Sequence, residues 1–133
     1  MEPFLTEFTV EWGDCDEAGI VFYPNYFYWL DCTFQRLLRA RGLGQRQTRD
    51  RFGAVTPLLD VALRFRAPVR YDEVLRIEAR IAEWQERRFR IGYTLTSGER
   101  LIAEGHELRA WAVQTDDGLK GAPIAEEFRR LLE

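Results

Sequence analysis

Pro24-Asn25-Tyr26-Phe27-Tyr28-Trp29-Leu30-Asp31-Cys32-Thr33-Phe34-Gln35-Arg36-Leu37-Leu38-Arg39-Ala40-Arg41-Gly42 changes the pattern of the chain to helical spacing. Tyr26, Trp29, Leu30, Phe34, Leu37 and Leu38 recur at steps of three and four, which predicts a helix with one broad apolar stripe. Pro24 suits the first turn, where a missing N–H leaves nothing unpaired. Arg36, Arg39 and Arg41 gather toward the other end, where positive charge meets the negative end of the dipole, and Gly42 fits the C′ position. Such a helix, about eighteen residues long, rises about 27 Å. Its aromatic bulk implies that another layer wraps it.

The flanking segments supply that layer. Phe4 to Trp12 reads as an opening strand ended by Gly13, and Gln45 to Arg51 as a polar connection. Leu59, Val61, Leu63, Phe65 and Ala67 alternate with polar residues up to Pro68. Leu75, Ile77, Ala79 and Ile81 alternate in the same way, as do Phe89, Ile91, Tyr93 and Leu95. A last run extends from Leu101 to about Gln114, and Pro123 opens a short terminal helix. Gln85-Glu86 and Ser97-Gly98-Glu99 are short enough to be hairpin turns, so the last three strands should form a meander. The expected class is α+β, with a five-stranded antiparallel sheet curved around the long helix.

Composition narrows the function classes. The chain has 133 residues, one domain's worth, spanning 1–133, and 14% of them are aromatic. A net charge of −3 disfavours nucleic-acid binding, which rests on phosphate neutralisation. No basic n-region with a long apolar core opens the sequence and no membrane-length apolar run follows, so a cytoplasmic location without membrane association is expected. Two cysteines, Cys15 and Cys32, fit a reducing compartment, and one histidine, His106, without a CxxC pair, argues against a metal site.

Chemistry concentrates before the helix, in Trp12-Gly13-Asp14-Cys15-Asp16-Glu17-Ala18-Gly19-Ile20-Val21-Phe22-Tyr23-Pro24-Asn25-Tyr26. A loop with three acids and two glycines feeding a helix start offers a carboxylate nucleophile or base beside unpaired N–H groups at the positive end of a dipole. Those are the two parts that attack on a carbonyl group needs. Asp14 fits the ordinary turn role of aspartate, pairing with backbone N–H groups. Cys15, set between two carboxylates and with the one histidine far along the chain, is a poor nucleophile.

This segment, with Trp29-Leu30-Asp31, closely resembles the signature of the 4-hydroxybenzoyl-CoA thioesterase family, and Thr56-Pro57 through Phe65-Arg66-Ala67-Pro68-Val69-Arg70-Tyr71-Asp72-Glu73-Val74 resembles its second block. The resemblance implies a hotdog fold, dimers whose sheets join and pair into homotetramers, and sites at the subunit interface. It implies coenzyme A thioesters as substrates, no metal, and no cofactor beyond the coenzyme A of the substrate. Asp16 maps onto the catalytic carboxylate, and the backbone N–H of Tyr23 onto the donor that polarises the carbonyl. Thr56 maps near the thioester and pantetheine arm, and Arg87 and Arg88 fall where basic residues meet the nucleotide phosphates. Asn25 is placed to cap or orient the helix start or to contact the substrate. Asp31 lies either on an exposed helix face or in an acyl pocket, binding a polar group of an aromatic acid. Phe27 and Glu17 stand where relatives often carry a polar residue and a proline, which opens the acyl preference.

The expected activity is hydrolysis of an aromatic or short to medium acyl-CoA to free acid and coenzyme A. The competing readings are a non-catalytic binder of acyl-CoA or acyl carrier protein, a hydratase relative, which would pair its acid with a histidine absent from this loop, and a purely structural protein.

Overall fold

The structure, a computed structural model, describes residues 2–133. In chain order the elements are β1 (Phe4–Thr9), a single 3-10 turn (Trp12–Asp14), α1 (Pro24–Ala40), α2 (Gln45–Phe52), β2 (Ala54–Val55), β3 (Leu58–Phe65), β4 (Val74–Trp84), β5 (Arg88–Ser97), β6 (Arg100–Ala110), β7 (Ala112–Thr115), β8 (Gly118–Gly121) and α3 (Glu126–Leu132). Five strands form one antiparallel sheet in the order β1-β4-β5-β6-β3. It is the hotdog arrangement: the sheet curves around α1.

The predicted stripe on α1 is buried from Tyr26 to Leu38, and Phe34, Leu37 and Leu38 are wholly inaccessible. Phe89, Ile91, Tyr93 and Leu95 of β5 meet that stripe, while Arg88, Arg90, Thr94 and Thr96 point the other way. Burial of each large apolar side chain stabilises the fold by about 1.5–3 kcal/mol. The helix is therefore the axle of the core. Strand β6 comes so close to β3 that a Cβ on Gly105 would lie 1.9 Å from the Ala62 carbonyl oxygen, and only glycine fits there. As an edge strand, β3 leaves Leu58, Leu59 and Phe65 exposed.

Four expectations are corrected. The opening strand stops at Thr9, because Val10 donates to the Glu73 carbonyl and the Asp14 carboxylate takes the Glu11 N–H, which winds Trp12–Asp14 into a 3-10 turn. The connection from Gln45 is helical: Gln47 Oε1 accepts the Gly44 N–H at 2.9 Å, and Gly53, at φ 65°, closes the helix. Polar on nearly every side, it has no apolar stripe to betray it, and only Thr48 is buried. The last strand divides at Trp111; β7 leaves the main sheet and joins β2 and β8 in a three-stranded sheet. The terminal helix begins at Glu126 rather than Pro123.

Candidate active site

The loop from Cys15 to Phe22 is tied down on three sides by backbone hydrogen bonds. Asp16 N–H donates to the Ile20 carbonyl and Gly19 N–H to the Asp16 carbonyl, each at 2.9 Å, and Gly19 takes φ 79°, a conformation suited to glycine. Val21 donates to the Val69 carbonyl, and Ile20 bridges to Arg70, so the loop adds itself to the turn between β3 and β4. That turn is held by the Glu73 carboxylate, which accepts from the Arg70 N–H, Ser97 and Arg100. Asp16 is exposed, with Oδ1 accepting the Ala18 N–H at 2.8 Å. Asp14 performs the expected turn role through Glu11, and the Cys15 sulfur lies 3.7 Å from the Glu11 carbonyl.

The same loop positions the start of α1. Asp14 offers its carbonyl to both Phe22 N–H and Asn25 Nδ2, at 2.8 Å each, so Asn25 orients the helix start against the acidic loop. Asn25 N–H donates to Phe22, Tyr26 N–H to Tyr23, and Pro24 has no N–H to give. Among the described residues no acceptor pairs with the Tyr23 N–H. Beside it lies a cavity of about 330 Å³ lined by Ile20, Val21, Tyr23, Tyr26, Phe65 and Pro68. Asp16, Tyr23 and Asn25 are thus brought into one assembly.

Asp31 and Thr56 form a second group, joined by a residue that sequence reasoning missed. Arg109 Nη2 donates to Asp31 Oδ1 at 2.8 Å and Nη1 to the Thr56 carbonyl at 3.1 Å. Gln35 Nε2 also reaches Asp31 Oδ1 at 3.3 Å; Gln45 Nε2 bonds Gln35 Oε1 at 2.9 Å and approaches Thr56 Oγ1 at 3.5 Å, which closes the ring. Behind it, Arg109 grips Glu107 with two bonds of 3.1 Å, and the Tyr93 hydroxyl donates to Glu107 at 2.7 Å. The Arg109 guanidinium also sits 4.3 Å from the Phe34 ring centroid. The side chains of Arg109 and Glu107 are 6% and 2% exposed, that of Asp31 52%. The available signal was phase: Glu107 and Arg109 fall in step with Ala103 and Trp111, the inward positions of the run.

Burial raises the Tyr93 pKa well above its ordinary 10.0, and the Glu107 charge adds to this. Burial would lower the Arg109 pKa, but Glu107, Tyr93 and Asp31 together outweigh it and the guanidinium is held charged. Because the folded state keeps the Tyr93 proton longer than the unfolded chain, the stabilisation is complete below pH 10 and is lost as pH rises toward the folded value. Urea midpoints measured from pH 8 upward should fall above pH 10 in the native protein, and fall less steeply in Tyr93→Phe.

Arg87 and Arg88 stand apart. Both are exposed at the turn between β4 and β5; Arg87 donates to the Gly121 carbonyl at 3.3 Å and Arg88 to Gln85. The Asp16 loop meets the sheet where β4 begins, so within one chain the arginines lie at the far end of that eleven-residue strand. His106 pairs with Asp60 at 3.0 Å on strands β6 and β3, away from Asp16.

A family model described as the thioesterase-like superfamily matches residues 10–132. The chain belongs to that family. This thioesterase-like chain is 33% identical over 129 residues to 4-hydroxybenzoyl-CoA thioesterase of Pseudomonas sp. (strain CBS-3), covering 92% of each. It superposes with a TM-score of 0.92 on the crystal structure of an aspartate-to-asparagine mutant of 4-hydroxybenzoyl-CoA thioesterase complexed with 4-hydroxybenzoyl-CoA, at 29% identity and 100% coverage of both chains. A gentisyl-coenzyme A thioesterase structure matches with a TM-score of 0.82 and 32% identity, over 94% of this chain and 98% of the other. No helix among the described residues is long and apolar enough to cross a membrane.

Proposed function

We propose that this protein is an acyl-CoA thioesterase that hydrolyses an aromatic acyl-CoA to the free acid and coenzyme A. The observation that carries this reading is an exposed Asp16 carboxylate on a pinned loop whose other end presents the unpaired Tyr23 N–H at the start of α1. Membership of the thioesterase-like superfamily and the two relatives named for hydroxylated aromatic acyl-CoA substrates support it.

In the reaction, the Tyr23 N–H receives the thioester carbonyl oxygen as it gains negative charge, at the positive end of the helix dipole. Asp16 either attacks the carbonyl carbon, giving a mixed anhydride that water then opens, or takes a proton from the water that attacks directly. On either route the C–S bond breaks and its electron pair leaves with the coenzyme A sulfur, which ends as the thiol. Asp31 and Thr56 bind the acyl group and the neighbouring arm, and Arg87 and Arg88 the nucleotide phosphates through their forked donors.

A two-fold assembly through β3 would account for that division of labour. An edge strand with three exposed apolar side chains is a liability for a lone subunit. Leu58 lies at the Arg88 end of the sheet and Phe65 lines the cavity beside Tyr23. Antiparallel pairing of β3 with its copy would set one subunit's arginine turn near the other's Asp16 loop. A homotetramer of such dimers, working in the cytoplasm, completes the reading.

Thiol release should be followed with benzoyl-CoA, 4-hydroxybenzoyl-CoA and a set of fatty acyl-CoAs. Turnover of the aromatic substrates is expected. Saturable binding in calorimetry with no thiol release over hours would make the protein a binder and overturn the proposal.

A further inference from the structure

The Glu107–Arg109 pair lies deep in the core, yet Arg109 does more than neutralise its neighbour. A buried guanidinium needs its donors satisfied, and Glu107 and the Thr56 carbonyl already take three of them. Nη2 nevertheless reaches outward to the half-exposed Asp31. Both donors that reach Asp31, Arg109 Nη2 and Gln35 Nε2, bind the same oxygen, Oδ1. Among the described residues nothing donates to Oδ2.

Tyr23, Phe27 and Asp31 follow one another at steps of four and share one face of α1. Eight residues rise about 12 Å. That span accommodates one aromatic ring with a hydrogen bond of about 3 Å at each end. One end would be the Tyr23 N–H and the other the free oxygen of Asp31.

We propose that Arg109, clamped by Glu107 and Tyr93, is a positioning residue that holds Asp31 so that its Oδ2 accepts a hydrogen bond from a hydroxyl on the acyl ring, and thereby sets a preference for hydroxylated over unsubstituted aromatic acyl groups. This rests on the thioesterase reading above. Arg109 touches no substrate; it acts through Asp31. Lysine at this position would keep the charge but could not reach Glu107, the Thr56 carbonyl and Asp31 together, because one ammonium replaces a planar fork.

The test is the ratio of kcat/KM for 4-hydroxybenzoyl-CoA to that for benzoyl-CoA, measured for the native protein, Asp31→Asn, Arg109→Lys and the double variant. A hydrogen bond to a charged group predicts a drop in that ratio of about tenfold or more in Arg109→Lys. In the Asp31→Asn background the same substitution should move the ratio no further. Equal losses on both substrates, or losses that add in the double variant, mean a purely structural role and overturn the inference. Should Arg109→Lys not fold, Arg109→Gln with Glu107→Gln, which removes both buried charges together, carries the same comparison. No thiol release from either substrate by the native protein overturns the thioesterase reading itself, a result distinct from equal losses.

Discussion

Asp16→Asn is expected to lower kcat/KM for aromatic acyl-CoA hydrolysis by about 10²–10⁴-fold, the range for removing a positioned acid-base group. The fold should be untouched. Asp16 is exposed, and an asparagine amide oxygen can still accept the Ala18 N–H that Oδ1 now takes at 2.8 Å. Equal thermal midpoints for the variant and the native protein, alongside the lost turnover, would separate chemistry from structure. The neighbouring carboxylate is the control: Asp14→Ala removes the acceptor of the Glu11 N–H that braces the 3-10 turn, so its loss of activity should come with a loss of stability. Full activity in Asp16→Asn would remove this residue from the chemistry.

The largest effect on stability is expected at Glu107. Glu107→Leu leaves the Arg109 guanidinium buried without its two-point partner, and breaking such a pair costs about 3–5 kcal/mol. Arg109 retains Asp31 and the Thr56 carbonyl, which places the loss toward the lower end. Replacing both partners, Glu107→Leu with Arg109→Met, removes the uncompensated charge and should recover most of the stability in urea unfolding. A double variant as unstable as Glu107→Leu alone would mean that packing, not charge, dominates at this point.

These two residues also mark how far the sequence could be read. The loop that carries Asp16 was legible because its acids and glycines precede a helix whose apolar residues recur at three and four positions, a pattern that tertiary contacts did not alter, whereas Asp16 itself was singled out within the loop only by the register of the motif. The strand pattern of β4 and β5 survived because their inward residues are apolar, with Ser97 at the end of β5 the exception. Glu107 and Arg109 were not legible as a pair, since charges in a strand ordinarily face water, and only contact with α1 shows that they face inward. Helix α2 escaped because its polar surface carries no period, and the break at Trp111 because Ala110-Trp111-Ala112-Val113 is an unbroken apolar run with no turn residue to mark it. Thr56 and Asp31, twenty-five positions apart in the sequence, meet through Arg109 and through the Gln35–Gln45 pair, contacts that no local spacing announces.

The proline at the head of α1 has one more consequence. With no N–H at Pro24, and those of Asn25 and Tyr26 turned back onto Phe22 and Tyr23, the helix start speaks to a ligand through one main-chain amide. Side-chain replacement at position 23 by any residue but proline leaves that group in place, so an alanine survey would pass over it. A semisynthetic protein carrying an ester in place of the amide between Phe22 and Tyr23 would exchange the donor for an oxygen, and its turnover would report the contribution of that single hydrogen.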